Sequence, residues 1–127
     1  MATNFPYLNI TKELRSVVGA PVKGTRIFER EGSYEESGRW FEQLSDAFPS
    51  DNFVSPGGVA MFVPVSRAAV HKRLNEGKLT AFAFYVTKVE SSIFGHRKKL
   101  RDRPYMYIPV SECKAWAEDL LQRPERQ

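Results

Sequence analysis

Two residues, Pro64 and Gly77, set the tightest limit on how this chain can fold. Proline has no backbone N–H and its ring collides with the preceding turn, so a helix arriving from upstream must stop at Pro64. Glycine just past a helix takes the left-handed conformation that closes it, which makes Gly77 a stop. Between the two, Ser66 is a ready N-cap, and Val70 and Leu74 share one face at i, i+4. That interval has room for one helix of about three turns. Upstream, Ser55 as N-cap and Pro56 at the first helical position open a helix of about two turns carrying Val59, Ala60, Phe62 and Val63. Two short helices joined by a tight corner are therefore expected.

The flanking sequence is punctuated in the same way. Thr11 caps a short helix to Val18 that stops at Gly19. A short strand is expected around Thr25 to Phe28. Ser33 and Glu36 form a capping box for a helix whose Trp40, Phe41, Leu44, Ala47 and Phe48 fall on one face, with Pro49 closing it. Past Gly77, LTAFAFYV (79–86) and YMYIPV (105–110) have strand length and strand composition. The eighteen residues between them, 87–104, are too many for a structureless loop in a compact domain, so a functional arm or a short hidden element is expected there. Ser111 is the expected cap of a last helix, lined by Cys113, Trp116, Ala117, Leu120 and Leu121. Residues 122–127 read as a frayed tail.

Charge is concentrated rather than large. Net charge is +4, yet residues 66–103 hold ten Lys and Arg against three Asp and Glu, a local net of +7. Positive charge gathered in this way suits a polyanionic partner, because binding releases condensed counterions. A solvated basic surface is the plainer alternative. The longest uncharged window, 52–66, is 15 residues and contains two prolines, short of the roughly 20 apolar residues a membrane helix needs. The N-terminus shows no basic segment followed by an apolar one, and the single cysteine suits a reducing compartment, so a cytoplasmic protein without a membrane partner is expected.

The series helix, corner, helix, strand, basic loop, strand, helix is carried by Val59-Ala60, Val65-Ser66-Arg67, Val70, Leu74, Glu76-Gly77-Lys78-Leu79, Ile108-Pro109-Val110 and Trp116. In this order the chain resembles the excisionase-type, MerR-like winged helix-turn-helix DNA-binding domains, over about residues 55–121. The resemblance implies a mainly α fold with a small β-hairpin wing over that span, while residues 1–54 lie outside the match and read as an N-terminal helical extension that packs or oligomerises. It implies double-stranded DNA as the partner. The helix from Ser66 would enter the major groove with Arg67, His71, Lys72 and Asn75, which lie away from Val70 and Leu74, while Arg73 sits on the flank toward a phosphate. The amides beside Ser66 can also face a phosphate. The wing candidate is the loop 95–103, in which His96, Arg97, Lys98, Lys99, Arg101 and Arg103 would follow the backbone or enter the minor groove. A homodimer or a partner protein, joined through the helix bearing Trp40 and Phe41, would supplement one short recognition helix.

Other chemistry has little to build on. The two histidines stand 25 positions apart and no C-x-x-C or H-x-x-x-H spacing occurs, so no metal site is expected. Gly57-Gly58 lacks the rest of a phosphate loop. No nucleophile, base and orienting group come together, and neither an enzyme nor a cofactor is expected. Phe82, Phe84, Tyr85, Tyr105 and Tyr107 have the rings to stack on bases, but strand positions favour core packing. A protein-interaction adaptor and a non-specific architectural nucleic-acid-binding protein are the alternatives to sequence-specific DNA binding.

Overall fold

The computed structural model describes residues 6–91, 97–101 and 103–122. Its centre is a mixed sheet of β1 (Ala20–Pro21), β2 (Arg26–Gly32), β3 (Phe53–Val54), β4 (Thr80–Ser91), β5 (Arg97–Arg101) and β6 (Tyr105–Pro109). The strand order is β1-β2-β4-β6-β3, with β5 paired to the far half of β4. β2 runs parallel to β4, from Arg26 opposite Thr80 to Gly32 opposite Val86, and the other pairings are antiparallel. A parallel pair needs a long crossover. Here it contains α2 (Tyr34–Ala47), β3, a 3-10 turn (Gly58–Met61) and α3 (Arg67–Asn75). A 3-10 turn (Lys12–Leu14) with α1 (Arg15–Val18) precedes the sheet, and α4 (Val110–Gln122) follows it.

The strand β4 has helices on both of its faces. Ala81 packs with Val59, Val63, Val70, Leu74, Cys113 and Trp116, beneath α3 and α4. Phe82, Phe84 and Val86 pack with Val18, Phe28, Trp40 and Leu44, beneath α1 and α2. Burial on both faces explains why the strand reads as an unbroken apolar run instead of an alternating one. Alanine on one face admits close helices, while aromatic residues on the other reach Trp40, whose ring centroid is 5.4 Å from that of Phe84.

Local signals close the helices as their chemistry demands. Ser33 Oγ accepts from Glu36 N–H at 3.1 Å and Glu36 Oε1 accepts from Ser33 N–H at 3.0 Å, a complete capping box. Gly77, at φ 72°, ends α3 with Lys78 N–H donating to the Arg73 carbonyl and Gly77 N–H to the Leu74 carbonyl, the Schellman pattern. A side chain at 77 would bring its Cβ 2.9 Å from the Gly24 carbonyl oxygen.

The expectation of a mainly α fold with a small hairpin wing and a helical extension is corrected by this sheet. Residues 1–54 contribute β1, β2 and β3, and β2 is a direct neighbour of β4. The strand RIFEREG hides its nature because only Phe28 is buried, while its charged side chains are half-buried or exposed. Two smaller differences follow from long-range contacts. The helix expected after Ser55 is a single 3-10 turn, with Ser55 Oγ accepting from Gly58 N–H at 3.1 Å. The last helix is capped by Asp51, whose Oδ1 accepts from Ser111 N–H at 3.1 Å, and not by Ser111 itself. Leu121 is exposed. Among the described residues no helix is long and apolar enough to cross a membrane.

Candidate nucleic-acid interface

The orientation of α3 follows from its cap and two anchors. Ser66 is extended and its Oγ accepts from Ala69 N–H at 3.1 Å, which fixes where the helix begins. Val70 and Leu74 are buried against β4 and α4, so the opposite side of the helix is turned outward. Ser66, Arg67, His71, Lys72 and Asn75 are all exposed. Arg73 is half-buried, and its guanidinium lies 4.6 Å from the Trp116 ring centroid. That stacking joins α3 to α4 and draws Arg73 back from the outward face.

Segment 87–104 is largely strand among the described residues. β5 carries Arg97, Lys98, Lys99 and Arg101 opposite Ser91, Glu90, Val89 and Thr87 of β4. Gly95 and His96 lie outside the described residues. Between the pairs Thr87–Arg101 and Phe84–Tyr105, β4 has two intervening residues and the opposite side three. One extra residue at this point is the count of a β-bulge. Arg103 stands at this step and is exposed.

The step in the strand, α3 and α2 surround a cleft of about 840 Å3. Arg67, His71 and Arg103 line it together with Phe41, Phe53, Tyr105, Met106 and Tyr107. Cations from the helix and from the foot of the arm thus meet at one place, beside an aromatic wall. Phe41 and Tyr107 lie ring to ring at 4.9 Å. Phe82 and Phe84 are fully buried, whereas Tyr105 is 46% exposed. Burial, with the neighbouring Tyr105 and Tyr34 phenols, pushes the Tyr107 hydroxyl above its ordinary value of 10.0, so it stays neutral here.

No protein-family model, curated protein or solved structure matches this chain. The site therefore has to be read from its own geometry. Among the described residues no carboxylate forms an ion pair with Arg67, His71 or Arg103. The same residues hold no cluster of three or more His, Cys, Asp and Glu side chains that would bind a metal. Cys113 is fully buried, and burial together with the Glu112 and Asp51 charges raises its thiol to about 12, so it is protonated and inert at neutral pH.

Sequence reasoning missed two residues of the cleft and one buried carboxylate away from it. Phe41 looked like part of the buried face of α2, yet it is 38% exposed beside Phe53 and Tyr107. Met106 lines the cleft, and nothing in its residue type marks it for a site. Glu112 lies fully buried at the far end of the sheet, with Oε1 accepting from Thr80 N–H at 2.8 Å and Oε2 from Leu8 N–H at 2.7 Å. A carboxylate on the third residue of a helix gives no hint that it faces inward.

Proposed function

We propose that the chain is a DNA-binding protein that reads duplex DNA with the outward face of α3 and holds the phosphate backbone with the basic arm around β5. The observation that carries this reading is the convergence of Arg67 and His71 with Arg103 on one cleft, although 36 residues separate Arg67 from Arg103. Arg67 and Arg103 are exposed and have no carboxylate partner among the described residues, which keeps their charge available for phosphates. Arg67 is the base-reading candidate, because guanidinium pairs with guanine O6 and N7 in the major groove, and Asn75 suits adenine. Lys72 and the β5 cations suit phosphates. The order α3, β4, basic β5, β6, α4 is the order that carried the resemblance to excisionase-type domains, and it is kept here as support for function only.

One short helix gives limited affinity, so a homodimer or a partner protein is part of the proposal. Trp40 is 1% exposed and unavailable for such a contact, which leaves the outer side of α2 around Tyr34.

Selection from a random duplex pool tests this reading, repeated with Arg67→Ala and with Lys98→Ala/Lys99→Ala. The expected outcome is an enriched motif that relaxes in the Arg67 variant. The double variant is expected to weaken all sequences alike and to reduce the salt slope by about two, one per lost phosphate contact. No enrichment, together with weak binding that is lost at moderate salt, would replace this reading with the adaptor.

A further inference from the structure

The phase of the β3–β6 ladder leaves one backbone position of β6 unused. Val110 N–H donates to the Asn52 carbonyl at 2.8 Å, and the paired residues are Phe53–Pro109 and Val54–Ile108. Backbone groups alternate sides along a strand. Residues 110 and 108 therefore turn toward β3, Tyr107 and Tyr105 turn toward β4, and Met106 turns its N–H and C=O to the open edge. The residue that would face Met106 is Pro56, where the chain has already turned away into the 3-10 turn. Among the described residues no strand covers this edge, and the cleft lies along it.

We propose that the cleft holds one unpaired nucleobase, hydrogen-bonded at its edge to the Met106 backbone, with its phosphate at Arg103. This rests on the nucleic-acid reading above and names the ligand of the same site. A flat group lying in the plane of the sheet meets Phe41 and the tyrosine rings on the α2 side and Arg67 with His71 on the α3 side. Aromatic and guanidinium surfaces on both sides of a ring are the arrangement that stacks a base. Base edges carry the donor and acceptor that one exposed N–H and C=O require. A volume of 840 Å3 lies in the range of small-ligand sites, and a base still paired in a duplex cannot reach into it. An added peptide strand fits less well, because Pro104 offers no N–H and only Met106 supplies a complete donor and acceptor pair.

Fluorescence anisotropy with three labelled probes tests the proposal: a blunt 24-base-pair duplex (about two turns), the same duplex with one bulged deoxyadenosine, and the same bulge made abasic. The bulged base is expected to bind about tenfold tighter than either control, equivalent to ~1.4 kcal/mol and within the range of one stacked base. Tyr105→Ala and Met106→Pro are expected to abolish that preference, the second because proline removes the outward N–H, whereas Met106→Leu retains it. Equal affinity for all three probes overturns the cleft assignment and leaves duplex binding standing, and equal affinity for the two bulges overturns recognition of the base. A parallel titration with deoxyadenosine monophosphate, against inorganic phosphate, reads the fluorescence of Trp40, whose ring lies 6.3 Å from that of Tyr107. Binding of the mononucleotide but of no duplex upholds the cleft and overturns the duplex reading. Binding of neither overturns both, as does binding of a glutamate-rich peptide in their place.

Discussion

Replacing Glu112 by alanine is expected to destabilise the protein by about 2–4 kcal/mol. Both carboxylate oxygens are engaged by main-chain donors, Thr80 N–H and Leu8 N–H, and the side chain is 0% exposed. Alanine leaves those two donors without an acceptor, each at a cost of roughly 1–3 kcal/mol. Against that, the buried carboxylate no longer has to be desolvated, which offsets part of the loss. The site is also coupled to its surroundings. Arg26 donates to the Leu8 carbonyl at 2.6 Å and, through Nε, to Thr80 Oγ1 at 2.8 Å, so the N-terminal segment is held from both sides. Against a total stability of about 5–15 kcal/mol for a domain of this size, the change is large. Glu112→Gln retains one acceptor at nearly the same shape and should lose less than the alanine variant. Urea unfolding followed by circular dichroism, extrapolated linearly to water, gives both values. Amide exchange at Thr80 and Leu8 should quicken in the same order. An alanine variant within about 1 kcal/mol of the parent would mean that water satisfies both donors, and the argument for a dry clamp would be refuted.

The buried thiol and the first cap supply two further predictions. Cys113 should resist iodoacetamide in the native protein at pH 8 and react on unfolding in urea. Because its thiol rises from the ordinary 9.0 to about 12 on folding, the unfolded chain loses this proton first as pH rises above 9. Stability relative to Cys113→Ala should then fall with rising pH from 9 to 12, by up to ~1.4 kcal/mol per pH unit, and a flat difference would show the thiol to be solvated. Ser33→Ala should cost about 1 kcal/mol in a thermal melt, the usual worth of such a cap. The two Ser33 bonds hold the Glu36 carboxyl below its ordinary 4.5, so the difference between parent and variant should shrink as pH falls below that value. A difference that grows in acid would contradict the capping geometry.

What was legible in advance is what depends on neighbours along the chain. Ser33 with Glu36, Ser66 with Ala69, and Gly77 with Arg73 and Leu74 lie within five residues of one another, and each was placed correctly from residue type alone. The aromatic runs at 79–86 and 105–110 were likewise recognisable as strands from their length and composition, and they are the places of β4 and β6. The outward face of α3 could be read from Val70 and Leu74. β2 escaped notice as a sheet neighbour because RIFEREG carries four charges among seven residues, and its parallel partner begins 54 positions later. Asp51 caps a helix 60 residues away, and no local pattern distinguishes it from a loop aspartate.

The sequence by itself determined the limits of α3 and the start of α2, which side of α3 faces outward and where positive charge accumulates. Those properties arise from backbone conformational preferences, side-chain caps and helical periodicity, all acting over a few bonds. Only the tertiary structure decided that β2 joins β4, that Arg103 comes to lie beside Arg67, and that Phe41, Tyr105 and Met106 frame a cleft. Those outcomes depend on which apolar faces bury one another and on where β3 stops at Val54 and leaves the β6 edge open. Burial is a non-directional force that acts between segments far apart in the chain, so no short stretch of residues carries its result.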